Sequence, residues 1–513
     1  MKKIFFSIII ICILCVTFSG CNDLLYESPE NTVLQEEVDY TIKDNVKLPI
    51  MGLYGRVYQN HNWEHFPFIS VRGDDVNHGG LGDQPQFAEI DFYTYPRVYF
   101  MVNGVWTSCY QRILDAYNAE AEINSYKEAG ADATLANRYI AETKVIRAFY
   151  LYYITLLWNE VLIPESGDAT DLFVAPLSTQ EEVMQYISDL MDEAIPALAD
   201  MHPRNRTDIQ GGVTKYTAYA MKARANQALK NHQKVAEATS EIIKSGHFEL
   251  ESDFYELWYV NKGKLNKETL FEFQYSHFGQ STGTSLTPGS TNAFFGPQSW
   301  TPKESRVGAG WGFYEPSLKF IKFMLDRGET IRLETTVLFT PRGIAEIQKD
   351  PKYVNLPSWI SNVTRSGDRL NDFARAMFSA GKYVMPSEQN FPGRNGISFD
   401  KNFICIRYAE ILLMHAEALV QGGTGSSISA VEAVNKVRSR AQMPNLSSVT
   451  LNDIIDEKFA EFATEWGHRF YDLVRWNRLN ELSYDGRTFT NDKIYYYYPQ
   501  EQVDLLPVLK GKR

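Results

Sequence analysis

Ile406-Arg407-Tyr408-Ala409-Glu410-Ile411-Leu412-Leu413-Met414-His415-Ala416-Glu417-Ala418 is the stretch on which the fold turns. Ile404, Tyr408, Ile411/Leu412, His415 and Leu419 recur at helical spacing, and Gly422-Gly423 closes the run, so the pattern predicts a helix. Ala409, Ala416 and Ala418 are small enough to let a second helix approach closely, and Ala430 and Ala433 follow after a turn. The same layout occurs upstream: Ala220, Ala223 and Ala228, a turn at Asn231-His232, then Ala236 and Ala238. Tyr139, Thr143, Ile146, Tyr150, Tyr153 and Leu157 mark another long helix. Val98, Val102, Val105/Trp106, Cys109, Ile113 and Ala116/Tyr117 mark a helix before it.

Such helix–turn–helix pairs resemble tetratricopeptide-type repeats, although no clean 34-residue period is present. The expected fold is therefore mainly α: a tetratricopeptide-like helix-pair superhelix with an irregular, loop-rich ligand-binding lobe. The lobe is expected from stretches 73–96, 275–312 and about 340–400, rich in Gly, Pro, Ser, Asn and aromatics, because long irregular insertions commonly carry binding function. A helix is expected over 316–325, and the string Tyr495 to Tyr498 reads as a docking surface or a strand.

The chain has 513 residues and a net charge of −12. An acidic chain without a conspicuous basic face argues against nucleic acid as a partner. Nine Trp, 30 Tyr and 30 Phe make 13% of the residues aromatic, which calls for either core filling or exposed ring surface.

Residues 1–20 read as a secretion signal. Lys2 and Lys3 precede an apolar run over 4–18, which as a helix spans about 22 Å and falls short of the roughly 30 Å hydrocarbon core. Phe18-Ser19-Gly20-Cys21 looks like a lipobox, with Cys21 as the lipidated first residue of the mature chain; an ordinary signal peptide is the alternative. Residues 21–35 form a polar tether and 36–513 a single domain, divided into 36–250, a loop-rich 251–400 and a helical 401–513. Once Cys12, Cys15 and Cys21 are set aside, Cys109 and Cys405 are too few and too distant for a disulfide framework or metal cluster.

The block 406–418, followed by Ala433-Val434-Asn435-Lys436-Val437-Arg438 and Glu465-Trp466-Gly467-His468-Arg469-Phe470-Tyr471-Asp472-Leu473-Val474-Arg475-Trp476, resembles the RYAE…AEA, VN.VR and EG.R..DL.RW blocks of the SusD/RagB family. Glu142-Thr143-Lys144-Val145-Ile146-Arg147-Ala148-Phe149-Tyr150 looks like that family's first helix. The resemblance implies a non-enzymatic lipoprotein of the Bacteroidota outer membrane. It would sit on the cell surface over a SusC-like TonB-dependent transporter and hand it oligosaccharide; some members take peptides or other nutrients instead.

Sugar rings offer an apolar C–H face for an indole or phenol and a hydroxyl rim for Asp, Asn and Arg. Trp311, in Val307-Gly308-Ala309-Gly310-Trp311-Gly312, is the leading candidate, and the resemblance places it where the starch-binding prototype stacks a Trp on glucose. Phe294, Phe295 and Trp300 are candidates for a second wall, with Trp63 contributing. Arg72, Asp74 and Asp75, with Tyr93 and Tyr95, are candidates for the polar rim; a solvated or calcium-binding turn is the other reading of Asp74-Asp75. No cofactor is expected otherwise. His61-Asn62-Trp63-Glu64-His65 matches the zinc-peptidase pattern H-x-x-E-H, but Pro67 disfavours helix at Phe66, and Asn159-Glu160 is weak support for a surface hydrolase.

Replacing Cys21 by Ser is expected to abolish incorporation of radiolabelled fatty acid and to move the protein from the membrane fraction to the soluble one. Unchanged labelling would remove Cys21 as the anchor.

Overall fold

The computed structural model describes residues 38–59, 71–80, 83, 85–275, 291–304, 308–389, 401–465 and 467–512. The candidates Cys21 and Trp63, the pattern 61–65 and the tether 21–35 lie outside these residues.

Helices form the frame. α1 (Leu48–Gln59), α2 (Phe100–Glu128), α3 (Ala133–Trp158), α4 (Gln180–Ala194), α5 (Lys215–Ala228) and α6 (His232–Lys244) come first in the chain. α7 (Leu318–Arg327) belongs to the lobe, and α8 (Tyr408–Val420), α9 (Ala430–Arg440), α10 (Leu451–Phe462) and α11 (His468–Arg475) complete the frame. Packing runs α2 on α3, α3 on α4, α4 on α5, α5 on α6, α6 on α8, and α8 on α9 and α10, a succession of helix pairs.

Local chemistry sets the boundaries. Thr179 caps α4 in a reciprocal box with Glu182, Thr450 caps α10 with Asp453, and Asn231 accepts from Lys234 N–H to start α6. α8 is buried on all sides from Tyr408 to Ala418, which accounts for its nearly continuous apolar sequence and makes it the central helix.

Short strands tie the frame to the lobe: β1 (Val76–His78), β2 (Thr269–Phe273), β3 (Trp300–Thr301), β4 (Tyr314–Pro316), β5 (Val337–Phe339), β6 (Arg369–Leu370), β7 (Phe378–Ala380) and β8 (Phe403–Arg407). β2 and β8 pair antiparallel, Phe403 opposite Phe273 and Arg407 opposite Thr269, and make a two-stranded neck through which the chain leaves and re-enters the frame. The sequence pattern assigned Ile404 to the helix of Tyr408. It stands in β8 instead, because a short run of bulky, β-branched residues buried on both faces satisfies a strand as well as a helix. Likewise, the helix expected from 316 begins at Leu318, where the Ser317 hydroxyl accepts from Phe320 N–H and Pro316 ends β4.

The string at 495–498 forms no strand, and alternate residues of it belong to the core. Tyr496 and Tyr498 are buried, Tyr496 N–H bonds to Leu157 O at 2.9 Å, and Trp158 Nε1 donates to Tyr497 O at 3.0 Å. The principal core runs from Val46 to Leu509; a second core in the lobe (Phe320, Met324, Val337, Phe378) packs on Phe459 of α10. Cys109 and Cys405 are buried free thiols, and burial pushes Cys109 up to about 12.

At the junction of neck, frame and lobe lies a buried charge network. Arg407 donates to Glu268 (2.8 Å), Glu461 (2.6 Å) and both oxygens of Glu465 (2.9 Å each). Arg440 also reaches Glu268 and Glu461, Arg332 of the lobe reaches Glu457 and Glu461, and lobe Lys382 reaches Glu465 at 2.6 Å. Burial alone would raise the Glu461 carboxyl, but Arg440, Arg407 and Arg332 outweigh it and hold it far below the usual carboxylate range. Replacing Arg407 by Leu takes one cation from each of three buried carboxylates, leaving Glu268, Glu461 and Glu465 under-compensated, and is expected to lower the unfolding free energy by about 3–5 kcal/mol. Urea denaturation followed by circular dichroism measures this; a loss below about 1 kcal/mol would show that the network is not the junction's main tie.

Candidate functional site

The ring expected to meet a ligand is held by backbone, not by chance packing. A helical turn at Thr291–Phe295 leads through Gly296-Pro297 to β3, where Trp300 pairs with Leu370. The chain returns along 310–313 and is laced to that turn. Gly310 N–H bonds to Pro297 O (2.8 Å), Trp311 N–H to Ala293 O (2.6 Å), Gly312 N–H to Gly296 O (2.9 Å) and Phe313 N–H to Phe294 O (2.8 Å). The two stretches are so close that a Cβ on Gly310 would lie 2.6 Å from the Gly296 backbone. Gly312 has a φ of +65°, and its Cβ would come within 2.7 Å of the Phe373 ring.

This lacing presents Trp311 half-buried at the edge of the core. Its indole meets Phe294 edge-on (5.3 Å, 85°) and Phe313 likewise (6.0 Å, 78°). Arg375 Nη1 donates to Trp311 O at 2.9 Å, its guanidinium lies 4.1 Å from the centre of the Phe313 ring, and it pairs with Asp83, whose side chain is 46% exposed. The place therefore combines one half-open indole with a charged pair whose acid faces solvent. Arg375 and Asp83 carried no sequence signal, because each is isolated in an irregular stretch.

Other candidates are placed differently. Phe294 and Phe295 are core residues, 1% and 0% exposed; Phe294 backs Trp311 and Phe295 packs on Tyr383 at 4.6 Å, so neither forms a second wall. Trp300 is half-buried on β3 and lines a cleft with Tyr255, Trp258 and Tyr259, to which Trp311 does not contribute.

The rim candidates form an internal clamp. Arg72 is fully buried between Phe470 (3.9 Å) and Tyr496 (4.4 Å) and donates to Lys493 O and Ile494 O. Asp74 is ion-paired to Arg469 (2.7 Å) and Lys319 (2.5 Å), so its charge is already compensated by cations in a way no calcium turn requires. Burial works to raise the Asp74 carboxyl, but Arg469 and Lys319 outweigh it and lower it. Asp75 accepts from Thr464 N–H at 2.7 Å, and burial pushes its carboxyl up to about 6. Tyr93, with a φ of +58°, donates to Arg72 O at 2.6 Å, and Tyr95 is buried against Tyr496 at 5.0 Å. Charges in a loop are ordinarily solvated, which is why the sequence points to a rim; here the partners of Arg72, Asp74 and Asp75 stand some 400 positions later in the chain. Among the described residues, no three His, Cys, Asp or Glu side chains are grouped to hold a metal ion.

Comparison with known proteins finds that residues 267–506 match the model of the SusD family. A SusD-like protein of Bacteroides ovatus is 22% identical over 506 residues, covering 95% of this chain and 86% of that one. SusD-like protein P2 of Formosa agariphila is 26% identical, covering 92% and 90%. Among solved structures, a laminarin-binding SusD-like protein superposes with a TM-score of 0.74 at 21% identity, over 90% of this chain and 97% of its own. Surface glycan-binding protein A of Bacteroides thetaiotaomicron, in complex with laminarihexaose, gives 0.72 at 19% identity, with the same coverage. The shared fold is thus the mainly helical one described above.

Asp75 offers a test of the clamp. Its folded-state carboxyl titrates near pH 6 against an ordinary value of about 4. Between these values the folded chain holds a proton that the unfolded chain has lost, so the group's contribution to stability falls as pH rises through that window. Asp75→Asn, which keeps an acceptor for Thr464 N–H, is expected to gain on the order of 2 kcal/mol over the parent at pH 7 and nothing at pH 4. Equal shifts at both pH values, read by urea denaturation, would contradict the burial of an unpaired carboxyl.

Proposed function

We propose that this chain, which belongs to the SusD family through residues 267–506, is a cell-surface receptor that captures oligosaccharide or polysaccharide and passes it to a SusC-like TonB-dependent outer-membrane transporter. A lipid on Cys21 and the tether 21–35 would hold it at the membrane. It would bind without catalysis; the two similar structures named above carry binding names, one for laminarin and one for surface glycan, the latter in complex with laminarihexaose.

The single observation that carries the reading is Trp311. A half-open indole whose backbone is pinned through its N–H and C=O and whose ring is backed by two edge-on rings is pre-organised, so little ordering entropy remains to be lost when a sugar stacks on it. The Arg375–Asp83 pair supplies hydrogen-bonding groups for a hydroxyl rim. One indole and a few polar groups support an affinity in the micromolar to millimolar range, about −8 to −4 kcal/mol, which suits capture followed by release.

Affinity electrophoresis against a panel of polysaccharides, laminarin included, tests the reading. At least one glycan is expected to retard the protein, and Trp311→Ala is expected to weaken that retardation at least about tenfold, or about 1.4 kcal/mol. Retardation unchanged in the variant would remove Trp311 as the platform; no retardation by any glycan, with binding of a peptide mixture instead, would overturn the ligand class.

A further inference from the structure

Away from the Trp311 loop, the helical frame encloses a cavity of about 270 Å³ among α3, α5, α8, α10 and α11. That is far more than the roughly 15 Å³ one water needs and just under the span of about 300–1,000 Å³ typical of pockets for drug-sized ligands, so it suits a single small ring and not a chain. No residue of 291–315, nor Arg375, lines it.

Most of its charged lining is already matched. Arg224 is forked onto Glu410 at 2.7 and 2.8 Å, Lys458 pairs with Asp472 at 2.6 Å, and Arg475 pairs with Asp472 and with Glu417 behind it. Two basic side chains of the lining are left over. Lys230 is exposed, on a left-handed residue (φ +56°) just past the end of α5, and has no carboxylate within ion-pair distance among the described residues. His468, the first residue of α11, makes no side-chain hydrogen bond to any described residue, and burial favours its neutral form, with one nitrogen to donate and one to accept. Tyr152 and Tyr495 supply ring surface beside them. A free ammonium at the mouth, a neutral imidazole inside and phenol walls together match a molecule with a carboxylate, several hydroxyls and one apolar ring face.

We propose that this cavity is a second binding site, for a sugar acid of the hexuronate class, with the carboxylate at Lys230 and ring hydroxyls at His468. The ligand would be one residue in size, in contrast to the chain taken at Trp311, and the two sites would act independently.

Isothermal titration of the full-length protein with D-glucuronate and D-galacturonate, with D-glucose and acetate as controls, tests this. At least one uronate is expected to bind saturably, with glucose and acetate at least about tenfold weaker. Lys230→Ala, at an exposed and unpaired position, is expected to weaken uronate binding about tenfold without changing the melting temperature. His468→Leu is expected to weaken it as well, and Trp311→Ala to leave it unchanged. Absence of saturable uronate binding, equal binding of glucose, or binding that survives Lys230→Ala but fails in Trp311→Ala would overturn the proposal; the last would return the sugar acid to the Trp311 platform.

Discussion

The buried charges around Glu461 set the terms for the rest of the molecule. Glu461 lies on α10, yet its partners come from β8 (Arg407), α9 (Arg440) and the lobe (Arg332). Glu465 adds lobe Lys382 to the same cluster. Taking each ion out of water costs several kcal/mol, and only the assembled set repays it, so none of these elements can dock well while another is absent. Removing one member is costly because it leaves buried charge without its partner. Frame and lobe are obliged to meet in one arrangement.

That obligation reaches the proposed Trp311 platform through a short line of contacts. Lys382 is tied to Glu465, and the adjacent Tyr383 donates to Thr464 O at 2.6 Å. The Tyr383 ring packs on Phe295, the neighbouring Phe294 meets the Trp311 indole, and the glycine-to-glycine contact of 296 and 310 fixes the distance between the two chain stretches. The half-open Trp311 ring therefore rests on a backing anchored in the charge network. On the other side of the loop, Gly79 N–H bonds to Phe313 O, so the Arg72–Asp75 clamp and β1 also hold the platform in place.

The high aromatic content divides along the same lines. Helix seams such as Tyr139, Tyr150 and Tyr153 were legible because a 3.6-residue period marks the side that must leave water. Trp311 was legible because flanking glycines make little sense for a core ring. Its neighbours were not: Phe294 and Phe295 share the loop composition of Trp311, and nothing in the order of residues says which ring turns inward. The charged set at 72–75 misled for a related reason, since whether a loop aspartate is solvated or clamped depends on Lys319, Thr464 and Arg469, hundreds of residues away.

By itself the sequence determined the helical frame and its paired layout, and it singled out Trp311 as the residue to examine. Each of these follows from local spacing or local backbone needs, which a linear order records. Tertiary structure alone decided that 403–407 is a strand of the neck, that Arg72, Asp74, Asp75, Tyr93 and Tyr95 are internal fastenings, that Arg375, paired with Asp83, holds the Trp311 carbonyl, and that a separate cavity lies between the helices. Burial, charge compensation and cavities are properties of groups brought together from distant positions. Local periodicity carries no record of such partners, so they become definite only when the chain has closed on itself.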